Sequence, residues 1–296
     1  MNNNLKGFLL VFLGAICFSS KAIMIKLAYQ FDVDALSLLT LRMVFALPFF
    51  LIVAFVNKRN AVQEAVSGKD YLKIIGLGLL GYYTASILDF IGLQYITAGL
   101  ERLILFIYPT LVVLLSFVFF KKPINKNIYV ALLLSYVGVG IVFLDDLSMN
   151  NKSIFLGTAL IFGSAVTYAV YLVGTERLIP RIGSVRFTAY AMIVSSLAVI
   201  VHFLIVRPAS ILSFPVEIYI YGFSIAIIAT VIPTFMITEG IKQIGAGKAS
   251  IIASIGPITT ITMEYLILHE PFTVYEFIGT VLVMAGVLMV SLQKRR

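Results

Sequence analysis

The sequence is poor in the residues that build disulfides, metal centres and water-soluble surfaces. It holds one cysteine in 296 residues, so Cys17 has no partner for an internal disulfide and there is no cysteine-rich metal site. The two histidines, His202 and His269, fall in separate segments without ligand spacing, and no metal site is expected from them. Tryptophan is absent, so tyrosine and phenylalanine supply all of the 13% aromatic content. Charged residues make up 12% of the chain, against about 25% in a soluble domain. A Gly-x-Ser-x-Gly elbow, a Gly-x-Gly-Asp motif and a histidine cluster are all missing. An enzyme is therefore disfavoured, and no cofactor is expected.

What fills the chain is apolar. Hydrophobic residues reach 60%, with a mean hydropathy of +1.04. No soluble fold of this size buries so many apolar side chains, so the expected solvent is lipid. A membrane helix needs about 20 apolar residues. Runs of that length fall at 5–29, 35–56, 71–91, 97–120, 126–144, 154–175, 184–206, 217–239, 247–268 and 273–292, ten in all. The first run has the look of a signal peptide, and its "LGAIC" resembles a lipoprotein cleavage site. However, Ile16 stands where a small residue belongs, and equally apolar runs follow, so it reads as the first membrane helix.

The net charge of +8 fits membrane orientation better than nucleic-acid binding. Ten spans put both ends of the chain on one side, and that side collects sixteen lysines and arginines against two, Lys152 and Arg207, on the other. Positive loops stay cytoplasmic, so the expected location is the cell's inner (cytoplasmic) membrane with both termini inside. The Asn151-Lys152-Ser153 sequon then faces outside and reads as chance.

The chain also repeats itself. At an offset of 148, Gly92 meets Gly240, Ala98 meets Ala246, Gly99 meets Gly247, Pro109 meets Pro257, Pro123 meets Pro271 and Gly138 meets Gly286. At an offset of 150, Gly7 meets Gly157 and Phe12 meets Phe162. The expected fold is an all-α membrane protein of ten transmembrane helices arranged as two inverted five-helix repeats, residues 1–147 and 148–296. Five is odd, so the second repeat enters the bilayer from the other side, as in many secondary transporters. Pro109 and Pro257 sit mid-span and are expected to kink their helices.

Polar residues inside lipid-spanning runs should face the bundle interior. The helical faces nominate Ser20, Lys21, Tyr82, Tyr83, Ser86, Tyr108, Tyr168, Tyr171, Thr234 and Ser254 as substrate-binding candidates. Lys21, Lys26, Arg42, Asp89, Glu101, Arg102 and Glu264 are charges within apolar runs. Arg42, Asp89, Glu101, Arg102 and Glu264 are the candidates for gating or proton coupling. Asp89 with Arg102 or Arg42, and Glu101 with Lys21, are the plausible pairs. In the repeat, Glu101 and Arg102 are matched by Ala249 and Ser250, so the two gates differ chemically. The fifth and tenth runs are mostly Leu, Val, Ile and Gly; they are expected at the periphery or between protomers, leaving room for a homodimer. Asp145-Asp146 reads as a solvated turn.

The stretch "FIGLQYITAGLERLILFIYPTLVVLLSFVFFKKPI", 90–124, and its second copy ending in His269-Glu270-Pro271 resemble the drug/metabolite transporter superfamily, in particular its EamA-like members. "SSKAIMIKLA", 19–28, is similar to that family's first-helix end, and "LRMVFALP", 41–48, to the arginine that opens its second helix. The resemblance implies a ten-helix carrier of small metabolites, often assigned to amino-acid export. Here Glu101-Arg102 replaces the family's usual small residues. The expected function is secondary transport of small organic metabolites, with amino acids or related zwitterions favoured, by alternating access and in the direction of export. Efflux of lipophilic or cationic drugs is the alternative, followed by a non-transporting receptor or scaffold. The expected partners are a small-molecule solute and membrane lipid, not nucleic acid.

Overall fold

A computed structural model describes residues 3–59, 67–121, 126–148, 153–176, 178–206, 211 and 213–292. Lipid offers no hydrogen bonds to an open backbone, so each apolar run closes its own as a helix. The ten membrane helices are α1 (Asn4–Tyr29), α2 (Ala35–Val56), α3 (Gly68–Gly92), α4 (Ala98–Phe120), α5 (Asn127–Leu147), α6 (Ile154–Thr175), α7 (Ser184–Val206), α8 (Val216–Ile244), α9 (Lys248–Leu268) and α10 (Val274–Ser291). No strand occurs among the described residues. The sequon's Asn151-Lys152 and the Lys122-Pro123 pair lie outside the described residues. The two chain ends share one face of the bundle, here the terminal face; the connections 30–34, 93–97 and 269–273 lie on the opposite, distal face.

Helices pack in mated pairs. Taking each helix to the one five places on, the contact of α1 with α8 maps onto that of α6 with α3, and α1 with α9 onto α6 with α4. The contacts of α2 with α7, α4 with α9 and α5 with α10 map onto themselves. The glycines that match in sequence make the mated crossings. A Cβ on Gly240 would lie 3.0 Å from the Gly7 carbonyl, and one on Gly92 would lie 3.1 Å from the Gly157 carbonyl. Membrane helices gain little from burying apolar surface against one another and instead associate through such close backbone approach. Helices α5 and α10 also meet backbone to backbone, at Gly138 and Gly279, so their small-residue faces are used within the chain.

The irregularities are mated too. In α4 the Ile107 amide bonds the Ile104 carbonyl at 3.2 Å, and in α9 the Ile255 amide bonds the Ile252 carbonyl at 3.3 Å. These tightened turns each stand two residues before a proline, Pro109 or Pro257, which has no N–H to continue the ladder. Wide π-turns occur at Leu79–Thr84 in α3 and at its mate Ile227–Val231 in α8, while a third at Glu264–Leu268 in α9 has no counterpart in α4. The second immediately precedes Pro233, another missing donor. Lys121 and His269, again 148 apart, both adopt left-handed backbone, with φ of 52° and 56°, where α4 and α9 end.

Candidate functional site

The charges within α1, α3 and α4 converge. Lys21 Nζ lies 2.5 Å from Asp89 Oδ2 and 3.1 Å from Glu101 Oε1. The Lys21 side chain is 14% exposed and that of Glu101 fully buried. One ammonium thus serves two carboxylates, donating a hydrogen bond to Asp89 and pairing by charge with Glu101, while Asp89 Oδ1 and both Glu101 oxygens have no hydrogen-bond partner. The expected Glu101–Lys21 proximity is present. Asp89, by contrast, takes Lys21 rather than either arginine.

Both arginines instead bond neutral groups. Arg42 donates from Nε to Thr230 Oγ1 at 3.0 Å and from Nη1 to Ser86 Oγ at 3.3 Å, with its guanidinium 5.6 Å from the Phe90 ring centre. Arg102 donates from Nη2 to Ser19 Oγ at 3.2 Å, and its buried Nε has no partner. Its guanidinium rests on Gly256, where a Cβ would stand 2.8 Å from Nη2. Gly256 is the repeat mate of Tyr108; the small residue in the second copy makes the space that the arginine of the first copy occupies. Counted together, Lys21, Arg42 and Arg102 carry three positive charges against two on Asp89 and Glu101, which leaves one positive charge unmatched.

A row of tyrosines runs from this cluster towards the terminal face. The rings of Tyr108 and Tyr168 meet edge-on at 5.5 Å, Tyr168 and Tyr171 stack at 5.7 Å, and Tyr171 meets Tyr82 at 5.0 Å. The π-turn of α3 carries Tyr82 into this row and places Gly81 against the Tyr171 ring. Arg102 lies within electrostatic reach of Tyr108, the first ring of the row.

The other candidates stand apart. Tyr83 turns to α7, where its hydroxyl is 3.1 Å from His202 Nδ1. Ser20, Thr234 and Ser254 bond carbonyls of their own helices at 2.7, 2.6 and 2.6 Å. Glu264 lies at the distal end of α9, where its Oε1 accepts the Ala98 amide at 2.7 Å. The reading of Asp145-Asp146 as a solvated turn is corrected: both close the last turns of the helix Lys126–Ser148. Asp146 accepts the Thr97 hydroxyl at 2.9 Å, and Asp145 accepts that of Thr273. Ser19 and Thr230, partners of the arginines, lie on polar stretches of their spans but are not among the substrate-binding candidates, because nothing in one helix's spacing reveals which neighbour it meets.

An open cleft of about 420 Å³ enters from the distal face between Lys26, Tyr29, Asp32, Val33, Asp34, Leu93 and Gln94. Its floor is the Tyr29 hydroxyl, which donates to the Phe90 carbonyl at 2.6 Å, one residue from Asp89. The groups expected to line a wet centre therefore bond one another beneath this floor. Among the described residues no group of three or more His, Cys, Asp or Glu side chains is placed to hold a metal ion.

The model of the EamA-like transporter family matches twice, over residues 5–144 and 155–292. The uncharacterized transporter YcbK of Bacillus subtilis is 32% identical over 281 residues, covering 92% of this chain and 88% of its own. The uncharacterized inner membrane transporter YicL of Salmonella typhimurium is 22% identical over 301 residues, covering 100% and 98%. A protein solved by crystallography shares the fold with a TM-score of 0.67 at 13% identity, over 96% of this chain and 95% of that one.

Proposed function

The chain belongs to the EamA-like transporter family, and we propose that it exports small zwitterionic metabolites, amino acids or their relatives first among them. It is a multi-pass membrane transporter; the substrate class, the direction and the alternating mechanism are this reading's own. The single observation behind the substrate class is Arg102, a part-buried guanidinium with a buried, free Nε and a neutral partner, in a cluster with one positive charge in excess. A carboxylate is the group a guanidinium takes best, through two parallel hydrogen bonds. The ammonium of a zwitterion meets Asp89 Oδ1, Glu101 Oε2 and the faces of Tyr108 and Tyr168.

Transport follows from the duplication. The units divide near 147 and 148, and the second runs in the opposite sense through the bilayer. Both termini are cytoplasmic by the distribution of lysine and arginine, so the distal face is outside. The kinks at Pro109 and Pro257 and the paired π-turns are the places where each half bends. Rocking of the halves opens the charge cluster first to the terminal face, along the tyrosine row, and then to the distal cleft past Tyr29. A homodimer would use the outward apolar faces of α5 and α10.

The tyrosine row favours a second reading, efflux of lipophilic cations, because aromatic faces attract cations. The surplus positive charge opposes it. Radiolabelled amino acids and a lipophilic cation, tested on purified protein in liposomes, separate the two. Amino-acid flux is expected, falling at least about tenfold in Arg102→Gln with the loss of a charge-assisted bond. Flux of the cation alone, unchanged in Arg102→Gln, would overturn the assignment.

A further inference from the structure

At the distal face, four elements bring carboxylates around one small cavity of about 30 Å³. Helix α5 supplies Asp145 and Asp146, α9 supplies Glu264, the connection after it supplies Glu270, and α10 supplies Glu276. Thr97, Tyr265 and Thr273 complete the polar lining. From α1, Lys26 is the cation within electrostatic reach of Glu264, Glu270 and Asp146. Three of the five acids therefore share one lysine.

Two of these acids meet closely. A Cβ on Gly99 would touch Glu276 Oε1 and lie 2.6 Å from Glu264 Oε2. Both oxygens thus converge on one point, within the roughly 4–6 Å at which neighbouring charges act on each other's ionisation. Glu264 is 4% exposed, lines the cavity, and its Oε2 has no hydrogen-bond partner. Two like charges held so close, one of them on a buried side chain, disfavour each other's ionised form. The cavity admits one or two water-sized groups by the usual measure of about 10–15 Å³ each, too few for an amino acid. A proton is a cation that two carboxylates converging on one point can share.

We propose that Glu264 and Glu276 share one proton, and that this proton holds the distal ends of α4, α9 and α10 together. Glu264 already ties α9 to the first turn of α4 through the Ala98 amide. Loss of the proton leaves two carboxylates repelling across Gly99, which spreads α9 from α10 and opens the distal face. The second step rests on the transporter reading above; the shared proton does not.

The test uses dicyclohexylcarbodiimide, which adds to a protonated carboxyl group in apolar surroundings, on the purified full-length protein in detergent, with peptide mass spectrometry as readout. Near neutral pH the wild type is expected to label on Glu264 or Glu276. Labelling of Glu264 in Glu276→Gln, and of Glu276 in Glu264→Gln, is expected to fall about tenfold, because the remaining acid has lost the neighbour that kept the proton. An exposed variant, Glu239→Gln, is expected to label as the wild type does. Absence of wild-type labelling at both positions, or undiminished labelling in both single variants, overturns the proposal. In liposomes, a pH-independent amino-acid flux beside positive labelling would remove the coupling and keep the proton pair; no flux of any solute would remove the transport reading and leave the pair standing.

Discussion

At the residue scale, Lys21 is the cation on which two buried carboxylates depend. Taking one partner out of a buried charge group typically costs about 3–5 kcal/mol, because the remaining charge is left without compensation. Lys21→Met is therefore expected to lower the unfolding temperature in detergent far more than an exposed substitution such as Lys242→Met. The double variant Lys21→Met/Asp89→Asn should recover part of the loss. A single variant as stable as wild type would show that Asp89 and Glu101 have other partners. Tyr29 offers a milder prediction. Tyr29→Phe removes the bond to the Phe90 carbonyl at about 1 kcal/mol, and a membrane-impermeant thiol reagent is expected to reach a cysteine at Ser86 from the distal face faster in that variant.

At the scale of elements, hydropathy locates the ten helices to within a few residues, because lipid permits few alternatives to a helix. It ends the eighth run at 239, whereas α8 continues to Ile244 as its last turn turns polar. The matched glycines and prolines also mark the mated crossings and kinks before any coordinates. What sequence does not disclose is which helix a side chain meets. Asp89 and Lys21 are 68 residues apart, and the choice of lysine over arginine depends on how the helices assemble. The π-turn that aims Tyr82 at Tyr171 and leaves Tyr83 to His202 has no proline to announce it in α3. Glu276 shows the same limit: it reads as an ordinary acid in the first turn of α10, and only the closeness of Gly99 makes it Glu264's neighbour. The crossings yield a direct prediction. Gly240→Val and its counterpart Gly92→Val each push a side chain into a facing backbone, and overpacking of this kind costs about 1–3 kcal/mol. The two are expected to lower thermal stability to a similar degree, whereas Gly76→Val, which meets nothing within 4 Å, should not.

At the scale of the whole molecule, two matched halves enclose an unmatched charge cluster. On the proposed mechanism, symmetry of packing supplies two equivalent ways to bend. Asymmetry of sequence, with Glu101, Arg102 and Tyr108 in one half and Ala249, Ser250 and Gly256 in the other, makes the two bent states chemically different. Two-sided access to the centre is the property on which transport depends. Ser20 lies next to Lys21 on α1 and is part-buried. In a Cys17→Ala/Ser20→Cys variant in sealed liposomes of known orientation, a membrane-impermeant thiol reagent should label Cys at position 20 when added to either side. Labelling confined to one side, whatever the solute or pH, would contradict alternating access by the two halves.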